Sequence, residues 1–260
     1  KYDITSVQLY DLTAIIKKKW LLALAKRLQE EEIQIGWSTP SGTRSEALDQ
    51  EALVALHKIG CNYLVYAPES GSETMLKRIK KQINLDTLTR SVLEAKRQGF
   101  TVRINLIVGF PDETLGELFK TIMYGIKMSI LGVDEVPLYI YSPYPGTLLF
   151  DQLQDEGKLI INDDYFYSLG TLNSAYLSSN IISFNPQIRP RILGLLRTLA
   201  LLINYGLSYL FYPRRIIRTI RNLKSTDARS STVLEHRLKD IIQRRRNLAF
   251  SSHSTDKLKA

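Results

Sequence analysis

Apolar residues follow two different spacings along the first 150 residues of the chain. Short runs rich in Val, Ile, Leu and Tyr predict β-strands, and longer stretches with apolar residues three and four positions apart predict helices. The predicted strands cover residues 4–10, 33–37, 63–67, 102–108 and 136–141. The predicted helices cover residues 17–31, 46–59, 85–98 and 114–128, and a short helix precedes the third of these.

This alternation of strands and helices predicts a parallel sheet with right-handed connections. The run from Val102 to Val108 is interpreted as a strand buried on both faces. An open doubly wound sheet and a barrel-like sheet both fit the pattern. In either case ligands are expected at the carboxyl ends of the strands, where glycine, proline and polar residues cluster.

The alternation stops after Phe150. Residues 151–161 predict a helix, whereas residues 162–185 are rich in Tyr, Ser and Asn and show no clear period. We therefore expect four regions. They are a core over residues 1–153, a segment covering the active site over 154–188, a basic amphipathic helical region over 189–250 and a disordered tail over 251–260.

The net charge of +9 is concentrated in the last quarter of the chain. Residues 189–260 hold 16 basic and 4 acidic residues, whereas residues 1–188 hold 19 basic and 22 acidic residues. A basic region of this kind indicates binding to nucleic acid or to an anionic membrane. Its arginines alternate with Leu and Ile rather than with stacking aromatic residues, which makes nucleic acid the least favoured partner.

The apolar stretch over residues 193–212 is long enough to cross a bilayer. Arg197, Asn204 and basic residues on both flanks favour instead a helix that lies at an anionic membrane surface. The expected location is the cytoplasm, peripheral on the inner face of the membrane. A buried helix packed on the sheet is the structural alternative.

The few cysteine and histidine residues exclude several kinds of site. A single cysteine, Cys61, excludes an internal disulfide framework and a metal site built from several cysteines of this chain. Cys61 is interpreted as a small buried hydrophobic residue, and His57 as a surface or packing residue of a helix. The sequence contains neither a glycine-rich phosphate loop nor a recognisable hydrolase triad.

Polar residues at the ends of the first two predicted strands have two interpretations each. Asp11 would either bind an ammonium group or cap a helix, because Asp and Thr are both common at the position before a helix. Ser41 and Arg44 flank Gly42, and the arginine would hold a carboxylate or form a surface ion pair with Glu46 or Asp49.

The ends of the third and fourth strands are more distinctive. Glu69 and Ser70 suit the hydroxyl groups of a ribose, although the same segment also suits a helix start capped by Ser72. Residues 105–114 combine a polar Asn105, a Gly-Phe-Pro turn and acids at a helix start. Gly109 would let a flat ring approach the backbone, whereas the acids would also simply complement the helix dipole.

Together these motifs resemble the radical SAM superfamily, specifically the branch that carries a cobalamin-binding domain. The motifs at residues 10–13, 41–44, 68–72, 109–114 and 142–147 follow successive strands in the family's order. The resemblance covers residues 1–153. It implies an α/β fold, a partial TIM-like (β/α) barrel of the radical SAM type, followed by an α-helical, basic and hydrophobic C-terminal region.

The resemblance also implies the cofactors S-adenosylmethionine, a [4Fe-4S] cluster and cobalamin. Asp11 takes the place of the acid that meets the cofactor's amino group, and Ser41 or Arg44 would approach its carboxylate. Glu69 and Ser70 would approach the ribose. The adenine side would be lined by Asn105, Ile107 and Gly109, and Tyr141 would face the substrate.

One feature departs from the family pattern. The family binds its cluster through CxxxCxxC after the first barrel strand, and this chain has one cysteine. Alignment to the family places Lys1 near the second barrel strand, so we expect the cluster loop and any cobalamin domain in an upstream part of the same protein. This chain alone is expected to be inactive.

The resemblance therefore implies part of an enzyme that carries out radical-based modification or methylation of a small-molecule substrate. Whether that substrate is lipophilic is left open by the residues. The alternative is a non-catalytic binding or regulatory module that keeps the barrel fold and has a membrane-associated tail.

Overall fold

The computed structural model describes residues 4, 6–10, 15, 17–43, 45–171, 181–224, 232 and 234–243. Within this part of the chain, strands form a single parallel sheet. They are β1 (Ser6–Gln8), β2 (Gly36–Thr43), β3 (Cys61–Glu69), β4 (Thr101–Val108) and β5 (Leu138–Ile140).

Helices connect the strands and continue after β5. They are α1 (Lys18–Glu30), α2 (Gln50–Lys58), α3 (Glu73–Arg78), α4 (Leu85–Arg97), α5 (Leu115–Ile130), α6 (Leu148–Asp155), α7 (Asp163–Thr171), α8 (Pro190–Phe211), α9 (Arg214–Lys224) and α10 (residues 234–243). Side-chain caps mark several helix starts, including a capping box in which Thr114 and Glu117 bond each other's backbone at the start of α5.

The order of the strands decides between the two sheet architectures that the sequence allowed. The order is β1-β2-β3-β4-β5, and each strand pairs in parallel with the next one along the chain. A doubly wound sheet reverses direction at a switch point, and this sheet does not. Every crossover advances the same way, so the prediction of a partial (β/α) barrel is confirmed.

The two faces of the sheet differ along β4. The even-numbered residues from Val102 to Val108 are buried in the main hydrophobic core, whereas the odd-numbered ones are half-buried on the opposite face, here called the inner face. The interpretation of this strand as buried on both faces was wrong. Arg103 and Asn105 interrupt the apolar run at a spacing of two, which is the pattern of a strand with one polar face.

Strand β2 also differs from its prediction. It continues through Pro40 and Gly42 to Thr43, whereas the sequence predicted a strand over residues 33–37 and a turn after it. Register shifts against β3 absorb the proline, and Gly42 takes a positive φ of 98°. The Thr43 hydroxyl then donates a 3.0 Å hydrogen bond to the carbonyl of Val65, which holds the end of β2 in the sheet.

The region after β5 contains more helix than its composition indicated. Helix α6 begins and ends earlier than the predicted helix over residues 151–161, because Thr147 caps its amino end. Helix α7 occupies part of the stretch in which no period was visible. Asn162 accepts a hydrogen bond from the amide of Tyr165 in its first turn.

The chain divides into two compact units, Lys1–Leu207 and Ser208–Ala260. In the first unit, one face of α8 packs into the main hydrophobic core, beside α5 and the residues that lead into β5. Asn204 is buried there, donates to the carbonyl of Val136 at 3.1 Å and accepts from the hydroxyl of Ser129 at 3.1 Å. The structural alternative for the apolar stretch therefore holds for one face of the helix.

Helix α8 is also the one helix in the described part of the chain that is long and apolar enough to cross a membrane. That property rests on length and composition alone, and 39% of its most apolar window is buried.

Candidate functional site

The carboxyl ends of β3 and β4 bring Glu69 next to two predicted site residues. Glu69 pairs in register with Leu106, so it lies beside the stretch of β4 that carries Asn105 and Ile107 on the inner face. The backbone of Glu69 has a φ of 71°, a left-handed conformation that is unusual for a residue other than glycine. Backbone strain of this kind, of about 1–3 kcal/mol, is concentrated at functional sites.

The carboxylate of Glu69 is largely shielded from solvent. Burial raises its pKa, and the ammonium group of Lys81, 3.0 Å away, partly offsets that rise. Only one carboxylate oxygen takes part in this ion pair. The group thus remains able to accept hydrogen bonds from hydroxyl groups of a bound molecule.

Glu113 holds the turn that follows β4. Its carboxylate accepts a 2.6 Å hydrogen bond from the amide of Gly109, and its residue is 1% exposed. Burial raises the pKa of Glu113 to about 7. The other carboxylate oxygen, Oε1, is buried and has no hydrogen-bond partner among the described residues. The helix dipole alone, which was the simpler interpretation of this acid, does not account for a buried bond of this kind.

Asn185 holds the same turn from a distant part of the sequence. Its side-chain amide donates to the carbonyls of Phe110 at 2.7 Å and Glu113 at 2.8 Å, and it is buried. The segment before α8 therefore lies against the Gly-Phe-Pro turn. The extent of a covering segment over residues 154–188 stays a prediction.

Gly109 lies close to α8. It has a φ of 83°, and a β-carbon added to it would lie 2.7 Å from a methyl group of Leu193. The positive φ favours glycine at this position, whereas the leucine methyl group could move aside for a β-carbon. The predicted approach of a flat ring to Gly109 stays a prediction.

Ser70 is turned away from the open edge of the sheet. Its hydroxyl is fully buried, lies 2.9 Å from the hydroxyl of Thr121 on α5, and accepts from the amide of Ser72. Next to it, Gly71 allows α5 to approach closely, since an added β-carbon would lie 2.5 Å from the β-carbon of Tyr124. Ser72 caps α3, as the helix-start interpretation predicted.

For three other predicted site residues the structure gives no contact with the site. Ser41 is half-buried near the end of β2. Asp11 and Arg44 lie outside the described residues, so their predicted contacts with the amino and carboxylate groups of S-adenosylmethionine stay predictions.

A polar cluster on the inner face was missed by the sequence analysis. The guanidinium of Arg103 donates to the side-chain oxygen of Asn105 at 2.9 Å and to the hydroxyl of Tyr139. The carboxylate of Glu135 lies 3.9 Å from the same guanidinium and accepts a 3.0 Å hydrogen bond from the hydroxyl of Tyr63. Arg103 thus orients Asn105 so that its amide nitrogen is available as a donor. The charge of Arg103 inside an apolar strand is the signal that would have revealed this cluster.

Tyr141 follows β5 and lies in a second hydrophobic cluster. Its ring packs 4.9 Å from that of Phe110 and 6.2 Å from that of Phe184, and Ile107 packs against the same cluster. Burial raises the pKa of its hydroxyl to about 12. This hydroxyl is buried without a hydrogen-bond partner among the described residues.

Four polar groups at this edge have hydrogen-bonding capacity that no described residue uses. They are the Glu69 carboxylate, the Asn105 amide nitrogen and two atoms that are buried from solvent, Oε1 of Glu113 and the hydroxyl oxygen of Tyr141. Within the described ranges, no group of three or more His, Cys, Asp or Glu side chains could hold a metal ion. Cys61 is buried at the start of β3, and burial raises the pKa of its thiol to about 12, which confirms its interpretation as a core residue.

Comparison with known proteins agrees with this geometry. The model of the radical SAM superfamily matches residues 7–124. An uncharacterized methyltransferase from Pyrococcus horikoshii is 30% identical over 151 residues, which cover 58% of this chain and 32% of the relative. A cytidylyl-2-hydroxyethylphosphonate methyltransferase from Streptomyces wedmorensis is 33% identical over 153 residues, 55% of this chain and 28% of the relative.

The fold has a counterpart among solved structures. Coproporphyrinogen III oxidase (HemN) from Escherichia coli, a radical SAM enzyme, superposes with a TM-score of 0.51 at 18% identity, over 78% of this chain and 41% of that one. At this identity the likeness concerns the fold. The matched part of this chain spans about a third of the length of the two methyltransferases.

Proposed function

We propose that this chain, whose residues 7–124 match the model of the radical SAM superfamily, is the part of a radical SAM methyltransferase that holds S-adenosylmethionine. The observation that carries the proposal is the placement of Glu69. A shielded carboxylate in a left-handed backbone conformation stands at the carboxyl end of β3, beside Asn105 and Ile107 of β4. Ligands of such sheets bind at that edge.

In this proposal the residues of the chain bind and orient the cofactor. Glu69 accepts hydrogen bonds from the ribose hydroxyls, Asn105 donates its amide to the adenine side, and Tyr141 lies toward the substrate. The turn locked by Glu113 and Asn185 shields this edge from water. S-adenosylmethionine, together with a [4Fe-4S] cluster, supplies the radical or the methyl group when bound.

The cluster and cobalamin would be held outside these 260 residues. The chain has a single cysteine, and that cysteine is buried in the core away from the carboxyl edge. We expect the chain by itself to bind no stoichiometric [4Fe-4S] cluster after anaerobic reconstitution with iron and sulfide. A cluster that survives in this chain and disappears in Cys61→Ser would contradict this.

The test of cofactor binding compares two glutamates that are four residues apart. In the complete gene product, Glu69→Gln should weaken S-adenosylmethionine binding about tenfold to a hundredfold, the value of hydrogen bonds to a charged group. Glu73→Gln, on the exposed first turn of α3, should leave the affinity unchanged. Equilibrium dialysis and calorimetry measure both.

Two further results make the test specific. Lys81→Met removes the partner of Glu69 but keeps the carboxylate, and it should retain binding. The alternative function, a non-catalytic module that keeps the fold, predicts that the complete gene product forms no 5′-deoxyadenosine under reducing conditions. Unchanged affinity in Glu69→Gln with an intact fold would overturn the assignment of this residue.

A further inference from the structure

Helix α9 is amphipathic, but within its compact unit it buries its polar side and exposes its apolar side. Its polar residues Arg215 and Thr219 are buried, whereas Ile216, Ile217 and Ile220 are 45%, 61% and 49% exposed. A helix on the surface of a soluble protein normally turns its apolar side inward. Here the polar side is turned inward.

The buried side of α9 is occupied by a polar network. The carboxylate of Glu235, which is fully buried on α10, accepts from the hydroxyl of Thr219 at 2.7 Å and from the amide of Asn222 at 2.7 Å. The guanidinium of Arg218 lies 3.4 Å from the same carboxylate. Since charge-assisted hydrogen bonds are strong when shielded from water, they fix which side of α9 faces inward. This polar network therefore keeps the isoleucines on the exposed side of the helix.

Further polar contacts hold the amino end of the helix in the same orientation. Arg215 donates to the hydroxyl of Ser208, and its guanidinium lies 4.5 Å from the centre of the Tyr212 ring. The hydroxyl of Tyr209 lies 3.3 Å from that of Thr219. A rotation of α9 that buried the isoleucines would break these contacts together with those to Glu235.

The charge of the segment complements an anionic surface. Residues 189–224 contain eight basic residues and no acidic residue. On α9, Arg214 and Arg221 are exposed, and their helical positions place them at the border of the isoleucine face. Exposed apolar residues bordered by arginines are typical of a helix that lies in a membrane interface.

The outward side of α8 in the first unit has the same character. Ile192, Leu195, Leu199, Leu202 and Ile203 are exposed on it, with relative exposures from 44% to 65%. The face opposite carries Leu193, Ala200 and Asn204 and packs inward. A helix with one packed face and one apolar exposed face suits contact with lipid better than crossing of the bilayer, since the buried Arg197 and Asn204 stay in the protein.

We propose that α9 docks on an anionic lipid bilayer, with Ile216, Ile217 and Ile220 inserted among the headgroups and Arg214 and Arg221 bound to lipid phosphates. Basic charge without acidic neighbours favours lipid over a protein partner, whose surface would carry both signs. The isoleucines favour lipid over nucleic acid, which is bound through phosphate charges and stacked bases.

The experiment is vesicle flotation with the protein as purified. Binding to phosphatidylcholine vesicles that contain phosphatidylglycerol, and little binding to phosphatidylcholine alone, is expected. The triple variant Ile216→Gln, Ile217→Gln, Ile220→Gln should lower the affinity at least about tenfold. Arg214→Glu with Arg221→Glu should lower it by about fivefold or more for each arginine and reduce its salt dependence.

Matched controls lie on other surfaces of the chain. Ile160→Gln with Ile161→Gln changes exposed isoleucines outside the proposed surface, and Lys19→Glu with Lys26→Glu reverses two exposed charges on α1. Both should keep wild-type flotation. Circular dichroism checks that each variant is folded. We expect that it is, because the altered side chains are exposed.

Three outcomes would overturn the proposal. One is the absence of flotation with either kind of vesicle. Another is a dimer in lipid-free solution, seen by light scattering, that the isoleucine variant abolishes, because the surface would then join two copies of the chain. The third is binding to a single-stranded oligonucleotide that depends on the arginines and not on the isoleucines. In that outcome the arginine variant no longer binds the oligonucleotide, and the isoleucine variant still binds it and still floats with the vesicles.

Discussion

The carboxylate of Glu113 accepts a 2.6 Å hydrogen bond from the backbone amide of Gly109, four residues earlier in the chain. This bond closes the turn between β4 and α5 with a side chain that is 1% exposed. Asn185 binds two carbonyls of the same turn, so a contact between neighbours in sequence and a contact across the fold stabilise one structure. The edge of the sheet that we assign to cofactor binding rests on this turn.

The first prediction concerns the pH dependence of stability. Burial raises the folded-state pKa of Glu113 to about 7 from its ordinary value of 4.5, so the fold favours the protonated acid. The resulting stabilisation is complete below the unfolded-state pKa and is lost as the pH rises through about 7. Relative to Glu113→Gln, the wild-type free energy of unfolding should fall by on the order of 3 kcal/mol between about pH 4 and pH 8. Urea titrations of both proteins across this range measure it, and a constant difference would contradict the buried site.

Asn185 should contribute to the stability of the same turn. Asn185→Ala leaves the carbonyls of Phe110 and Glu113 without this donor, and the free energy of unfolding should fall by about 1–3 kcal/mol. Gln187→Ala, two residues away and exposed, should change it by less than about 0.5 kcal/mol. Chemical denaturation distinguishes the two, and equal effects would show that the amide bonds add nothing.

Two glycines, one next to α5 and one within it, should respond oppositely to alanine. In Gly71→Ala the new β-carbon would lie 2.5 Å from the β-carbon of Tyr124 and 2.7 Å from the carbonyl oxygen of Lys120, so overpacking should cost about 1–3 kcal/mol or more. Gly116, in the first turn of α5, has open space around it, and Gly116→Ala should stabilise the protein by up to about 1 kcal/mol. Thermal unfolding of both variants checks the pair. A neutral Gly71→Ala would mean that α5 lies further from the sheet.

The packed face of α8 should depend on Asn204. Replacing it with leucine leaves the carbonyl of Val136 without its buried donor, whereas the hydroxyl of Ser129 keeps the carbonyl of Gly125 as an acceptor. The free energy of unfolding should fall by about 1–3 kcal/mol. Leu202→Asn, on the exposed face of the same helix, should be nearly neutral. If Asn204→Leu instead stabilised the protein, this face of the helix would lie in an apolar environment rather than on the sheet.

Local sequence determined most of the secondary structure of this protein. The strand over residues 102–108 and the helix over residues 85–98 were predicted to within one residue of β4 and α4. Both carry dense, regular apolar spacing, and Asn84 and Gly99 mark the limits of the helix. Where the spacing was obscured, as at Pro40 and Gly42 in β2, the prediction ended the strand too early, because register shifts against a neighbouring strand are not visible in one segment.

The site was partly accessible from the sequence because parallel strands place their carboxyl ends at one edge. That rule predicts that Glu69 and Asn105 lie at one edge of the sheet, whereas Ile107 was indicated only by the resemblance to the radical SAM superfamily. It did not show that Ser70 turns toward Thr121, or that Arg103 orients Asn105, because a side chain's direction depends on partners many residues away.

The sequence alone determined the order of strands and helices, the family motifs and the concentration of positive charge after residue 188. The tertiary structure decided the sequential strand order, the burial of Glu113 and the outward orientation of the isoleucines of α9. The physical reason is the range of the interactions. Periodicity and capping act within a few residues, whereas burial and buried polar contacts depend on which elements meet in space. An example is Glu235, which accepts a hydrogen bond from Thr219 and forms an ion pair with Arg218.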